Sequence, residues 1–292
     1  MQSVRKTAWL TALALLAFAA NSLLCRAALG QGSIDAASFT SLRVVSGALT
    51  LGLIVLPRWR DRGLESVDWR SAAMLFAYMV FFAFAYRFLA AGTGALILFG
   101  AVQLTMFVVA LRAGEPFPLL SWVGLVLAIL GLVYLVSPGL TAPHPLGAAL
   151  MAAAGIAWGV YSLLGRGAAD PLAATANNFL YSVPLVLAVN ALFLVTSGLH
   201  ATWRGVGLAV VSGAITSGLG YVVWYAALRG LTGTRAATIQ LAVPVIAALG
   251  AVLLLSEPIT PRLALAAAMT LGGVWMALAT RRRRTVEAAR SS

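Results

Sequence analysis

The sequence predicts an all-α integral membrane protein of ten transmembrane helices, arranged as two inverted five-helix repeats. Its 292 residues are 61% hydrophobic and 10% charged, with a mean hydropathy of +0.95, whereas a soluble domain carries about 25% charged residues. Ten apolar windows of roughly 18–22 residues are each long enough to cross a bilayer as a helix. A set of landmarks also recurs at a near-constant offset. Phe18–Arg26 is echoed 140 positions later by Trp158–Arg166, with Ser22, Leu23, Leu24 and Arg26 matching Ser162, Leu163, Leu164 and Arg166. Phe39 matches Phe179 at the same offset, and Glu115-Pro116 recurs as Glu257-Pro258 at an offset of 142. A shared offset over distant landmarks marks two copies of one unit. Half a chain of apolar spans per copy is the pattern of a transporter built from internal repeats. The expected units are residues 1–140 and 141–292.

In chain order the windows are Trp9–Leu29, Ala36–Leu56, Ser71–Ala90, Ala95–Leu111 and Leu119–Val136, then Leu146–Leu164, Ala174–Val195, Val206–Leu228, Ala236–Leu255 and Leu263–Ala279. The fourth is the shortest and carries a polar Gln103. Before the first, Arg5 and Lys6 lead into an apolar run with Ala17-Phe18-Ala19, a signal-peptidase-like site. Cleavage there would remove the repeat partner of a mid-chain helix, so the segment is expected to stay as a span.

The loops set the orientation. With the N-terminus inside, the inner side receives Arg5, Lys6, Arg58, Arg60, Arg62, Arg70, Arg112, Arg166, Arg229, Arg235, Arg281–Arg284 and Arg290, fifteen cations in all. The outer side receives only Arg26, Arg87, Arg204 and Arg262, and the uncharged linker Ser137–Pro145 falls there too. This positive-inside bias places both termini in the cytoplasm. Five spans per copy is odd, so the second copy enters upside down. A pseudo-two-fold axis then lies in the membrane plane, with the substrate site near the midplane.

Several classes are excluded on composition. A net charge of +12 suggests nucleic acid in a soluble chain, but here the cations flank apolar spans, so no nucleic-acid partner is expected. Cys25 stands alone and cannot form an internal disulfide. His144 and His200 fall in predicted loops. No cluster has metal-ligand spacing and no Gly-rich phosphate loop occurs, so neither metal nor cofactor is expected. An intramembrane enzyme needs a buried nucleophile or an acid–base pair, which the spans do not offer.

The motifs now on the page resemble a known family. Trp158-Gly159 with Arg166, and Arg26 in the first copy, are joined by Leu42-Arg43, Pro244-Val245, Gly114-Glu115 and Ser256-Glu257. In this order and duplication they are similar to the drug/metabolite transporter superfamily, in its ten-helix form with two EamA-type units, over about residues 8–280. Phe18-Ala19 stands where that family's first helix carries Trp-Gly. In size and aromatic-rich core the chain is most similar to the bacterial aromatic amino-acid exporters of the YddG type. The resemblance implies a bacterial inner-membrane exporter of aromatic amino acids, working by alternating access as a monomer. A proton-coupled multidrug, nucleoside or vitamin exporter of the same superfamily is the alternative.

Candidate cavity residues come from depth. Tyr78, Phe82, Trp158, Tyr161, Tyr221, Trp224 and Tyr225 lie well inside spans at helical spacing, and spans one and six, like three and eight, are repeat partners. As a set they predict an aromatic-walled cavity, though each alone also fits core packing. Among intramembrane polar groups, Asn21, at the repeat position of Tyr161, and Gln240, one turn before Pro244, are expected to face substrate. Interhelical hydrogen bonding is the competing role. Arg43 is the one charge placed deep within a span, Arg26 and Arg87 being at span ends; it fits either a bound carboxylate or a structural role against backbone carbonyls. Gly213/Ser217 and Ala264/Ala268/Gly272 are read as small-residue helix contacts. The first and sixth spans hold no Asp or Glu. A neutral or zwitterionic substrate moving down its own gradient is the consequence drawn from that absence.

Overall fold

The structure is a computed structural model that describes residues 4–62, 68–114, 117–165, 168–231 and 233–291. Glu115-Pro116 and Arg166 lie outside the described residues, as do the side chains of Arg62, Arg281–Arg284 and Arg290. The described elements are helical throughout, apart from an isolated bridge between Ile34 and Ala201. They are α1 (Val4–Leu29), α2 (Ala36–Arg62), α3 (Trp69–Tyr86), α4 (Ala91–Arg112), α5 (Leu119–Val136), α6 (Pro145–Leu164) and α7 (Pro171–Thr196). The eighth span runs as α8 (Trp203–Val211), a π-helical turn (Ser212–Leu219) and α9 (Gly220–Leu228). The ninth is α10 (Gly233–Gln240) and α11 (Ala242–Leu255), and α12 is Pro261–Ser291. Ten of the resulting spans are long and apolar enough to cross a membrane.

Local chemistry explains the boundaries. Asp68 caps α3 by accepting from the backbone N–H of Arg70 and Ser71, and Asp170 caps α7 through Leu172 and Ala173. Pro145 and Pro171 occupy the first turn, where a missing N–H costs nothing. Span nine breaks at Leu241 because Pro244 has no N–H to give the Gln240 carbonyl. The fourth span is longer than the hydropathy window, at 22 residues. Gln103, near its middle, is buried against other helices.

Packing places the cavity. The principal helix contacts fall into pairs when span i is exchanged with span i+5. α5 on α12, α2 on α7 and α4 on α11 map onto themselves, while α3 on α6 is mirrored by α1 on span eight. α4 on α6 is mirrored by α1 on α11, and α3 on α7 by α2 on span eight. This pattern is compatible with two inverted copies. Outward faces are apolar, with Leu53, Leu119, Val195, Trp203 and Leu253 exposed. That is the surface a lipid environment covers and water does not.

The α5–α12 seam corrects one expectation. Ala264 and Ala268 are exposed, and a Cβ on Gly272 would meet nothing. The close approach is made by Gly273, where a Cβ would fall on the Gly124 carbonyl, with Ser121 Oγ donating to the Ala277 carbonyl at 3.2 Å. Several small-residue stripes run down α12, and spacing alone does not say which one meets a partner. The Gly213 stripe does pack as expected: a Cβ there would fall on the Ser46 hydroxyl and the Arg43 carbonyl of α2.

Candidate substrate cavity

A chain of aromatic faces runs through the middle of the bundle. On α3, Tyr78 and Phe82 are one helical turn apart, with ring centroids 5.4 Å from each other. Trp158 on α6 lies 4.8 Å from Tyr78 and stacks on Tyr221 at 5.6 Å. Phe18 on α1 closes the series, 6.1 Å from Tyr221. These five rings, with Leu98 and Phe99 of α4, wall a cavity with about 450 Å³ of space unfilled by protein atoms, its mouth included. The first half supplies Phe18, Tyr78 and Phe82; the second supplies Trp158 and Tyr221.

Polar groups gather on one side of the same cavity. Asn21 Oδ1 accepts from Ser212 Oγ at 2.7 Å and from Thr216 Oγ1 at 3.2 Å. The π turn makes this possible by crowding Ser212, Thr216 and Ser217 against α1 and α2, a backbone irregularity of the kind found at functional sites. Gln240 lines the cavity at the break that Pro244 imposes. Arg43 completes the patch. It is 1% exposed, donates from Nε to Ser217 Oγ at 3.2 Å and from Nη2 to Tyr78 Oη at 3.3 Å. Its guanidinium carbon sits 5.0 Å from the centre of the Phe82 ring. Among the described residues its Nη1 has no hydrogen-bond partner.

Six of the sequence-predicted residues line this cavity: Asn21, Tyr78, Phe82, Trp158, Tyr221 and Gln240. Tyr161 and Trp224 do not. Tyr161 donates to Thr175 Oγ1 at 3.3 Å, and the Tyr225 hydroxyl lies 2.7 Å from that same oxygen. The result is a hydroxyl cluster behind Trp158. Trp224 packs edge-on against Phe18 at 5.6 Å and so backs the wall without being part of it. Helical spacing put both on the right helices but could not separate the face toward the cavity from the face one residue round.

Two lining residues had a readable signal. Phe18 stands 140 positions before Trp158, the offset of the sequence echo, and both rings line the cavity. Arg43 was visible as the single charge deep inside a span. The position 140 residues on holds Val183, so the cation breaks the symmetry of the two copies.

The profile of the EamA-like transporter family matches residues 145–279, the last five spans. An uncharacterised Pseudomonas aeruginosa protein is 50% identical over 95% of this chain and 96% of its own. An uncharacterised transporter of Bacillus subtilis, YwfM, is 26% identical over 91% of this chain and 92% of its own. One from Archaeoglobus fulgidus is 25% identical over 74% and 81%. A crystal structure superposes with a TM-score of 0.68 over 96% of this chain and 100% of its own, at 21% identity, which shows the fold. Residues 145–279 thus match the EamA-like transporter family, and relatives that span most of the chain are described as transporters.

Proposed function

We propose that this transporter carries aromatic amino acids and similar small amphipathic metabolites out of the bacterial cytoplasm, across the inner membrane. In this reading residues 1–140 and 141–292 are two inverted units that rock about the cavity, both termini are cytoplasmic, and the protein works as a monomer. The observation that supports it is the unbroken series of rings from Phe82 through Tyr78, Trp158 and Tyr221 to Phe18 around a polar patch. Ring faces take a flat apolar group by stacking, and the patch meets its polar end. Asn21, Tyr78, Phe82, Trp158, Tyr221 and Gln240 would contact substrate, with Tyr161 and Trp224 holding the wall from behind.

The coupling expected is passive. All eight Asp and Glu residues stand outside the ten spans, so no buried carboxylate is available to carry a proton. That distribution speaks against the proton-coupled alternative.

The test is flux from proteoliposomes loaded with labelled phenylalanine, tryptophan, leucine or uridine, with no pH gradient. Aromatic cargo should leave fastest, and Trp158→Ala should slow it about two- to tenfold while the protein stays folded. Equal rates for leucine and uridine, or flux only under an imposed pH gradient, would overturn the reading.

A further inference from the structure

The cavity holds a cation that has no counter-ion among the described residues. Arg43 lies about two helical turns inside α2 and is fully enclosed. A buried charge is stable only when paired and hydrogen-bonded. The protein supplies Arg43 with neutral partners alone: a serine hydroxyl at 3.2 Å, a tyrosine hydroxyl at 3.3 Å and the face of Phe82. Both bonds are long for N–H···O, and Nη1 has no partner among the described residues. The protein cannot do better from its own spans, because none contains an Asp or Glu. Nor is the charge shared with the second copy, where Val183 stands at the equivalent position.

We infer that Arg43 is the carboxylate-binding group of the cavity, and that the cargo class is ring-bearing carboxylates in which the ammonium group is dispensable. A carboxylate oxygen accepts charge-assisted bonds from a guanidinium that are shorter and stronger than those Arg43 makes to neutral hydroxyls. The rings flanking Arg43, Tyr78 and Phe82, continue into Trp158 and Tyr221, so a carboxylate on the cation leaves an attached ring among the aromatic faces. Among the described residues no acidic group lines the cavity to hold an ammonium ion. This rests on the aromatic-cargo reading and narrows it: neutral and purely cationic compounds are excluded, and simple aromatic acids are admitted beside the amino acids.

The experiment uses the purified full-length protein in detergent and three probes with the same ring: phenylacetate, phenylalanine and phenethylamine. Thermal unfolding is followed against probe concentration. Phenylacetate and phenylalanine should raise the midpoint and phenethylamine should not. Arg43→Gln should weaken the apparent affinity for phenylacetate about 10- to 100-fold, and Arg43→Lys should lose less. An amine that stabilises as well as the acid, no response to either acid, or wild-type affinity in Arg43→Gln would each overturn the inference. If Arg43→Gln does not fold, the wild-type series decides alone. Stabilisation by the acids without flux in proteoliposomes would end the export reading and leave the anion site standing.

Discussion

At the end of the bundle where α1 meets the α3–α4 turn, Arg26 donates from Nε to Glu257 Oε1 at 2.7 Å and from Nη1 to the Tyr86 carbonyl at 3.2 Å. Glu257 Oε2 accepts the Ala91 N–H at 2.8 Å. At the same end Asp35 accepts from the backbone N–H of Ser38 and of His200, at 2.8 and 2.9 Å. At the other end Arg58 meets Asp170 at 3.2 Å. In the middle, Arg43 has hydroxyls, a ring face and, among the described residues, no acid. The described carboxylates, Asp35, Asp68, Asp170 and Glu257, all keep some exposure at the ends of the bundle. Charges at the ends therefore tie the two halves together, and in the reading proposed above the one in the middle is left for a solute. That division is what a carrier needs, since a counter-ion of its own inside the cavity would compete with its cargo.

The largest effect should come from closing the gap on which the middle depends. Gly213→Ala places a methyl carbon on the Ser46 hydroxyl and the Arg43 carbonyl oxygen. The carbonyl is backbone and cannot swing aside, so α2 and the π turn must separate. Overpacking of this kind costs about 1–3 kcal/mol, and it also moves Ser217 away from Arg43. Thermal unfolding should show the loss. A variant of wild-type stability would mean that the π turn is soft and Arg43 is not held by it.

A second measurement compares the two ends. Arg26 and Glu257 side chains are 25% and 15% exposed, those of Arg58 and Asp170 43% and 27%. Removing one partner of the better-buried pair leaves a half-desolvated charge, whereas exposed pairs contribute about 0–1 kcal/mol. Glu257→Ala should cost about 2 kcal/mol and Arg58→Ala under about 1 kcal/mol. Salt should narrow the second difference and leave most of the first. If the order is reversed, the Arg58 end is the one that holds the halves together.

Much of the fold is legible in the sequence. Period and length fixed the spans, because a helix in lipid must be long and apolar over its whole length. The 140-residue echo paired Phe18 with Trp158, and both line the cavity. What could not be read was the turn of each helix about its axis. Tyr161 is three residues from Trp158 and Trp224 three from Tyr221, yet each of the second members points behind the wall. The π turn was also hidden, since an inserted residue in the backbone ladder leaves no pattern in side-chain hydropathy. Arg43 was the harder lesson. The lack of any acid in its span was in the sequence, but only packing shows that, among the described residues, no backbone carbonyl takes the place of one.

The smallest effect tests whether end charges are served by the protein itself. Asp68 caps α3, and its carboxylate accepts from the Ser71 hydroxyl at 2.5 Å and from the backbone N–H of Ser71 and Arg70. The Ser71 hydroxyl above all holds its pKa below the ordinary carboxylate value; burial opposes it, and the backbone N–H groups of Ser71 and Arg70 and the Arg70 charge add to the lowering. A lowered folded-state pKa means that the charged form favours folding. The contribution is present above the unfolded value of about 3.9 and is lost as pH falls through the lower folded value. Asp68→Ala should cost about 1 kcal/mol at pH 7, the usual worth of an N-cap. Asp68→Asn keeps a capping oxygen and removes the charge, so it should cost only a few tenths of a kcal/mol. The gap between wild type and Asp68→Asn, read as unfolding midpoints in detergent from pH 7 down to pH 3, should close as the carboxylate takes up its proton. A gap that stays constant over that range would mean the charge of Asp68 contributes nothing. The contrast between satisfied ends and an unsatisfied middle would then rest on Arg26 and Glu257 alone.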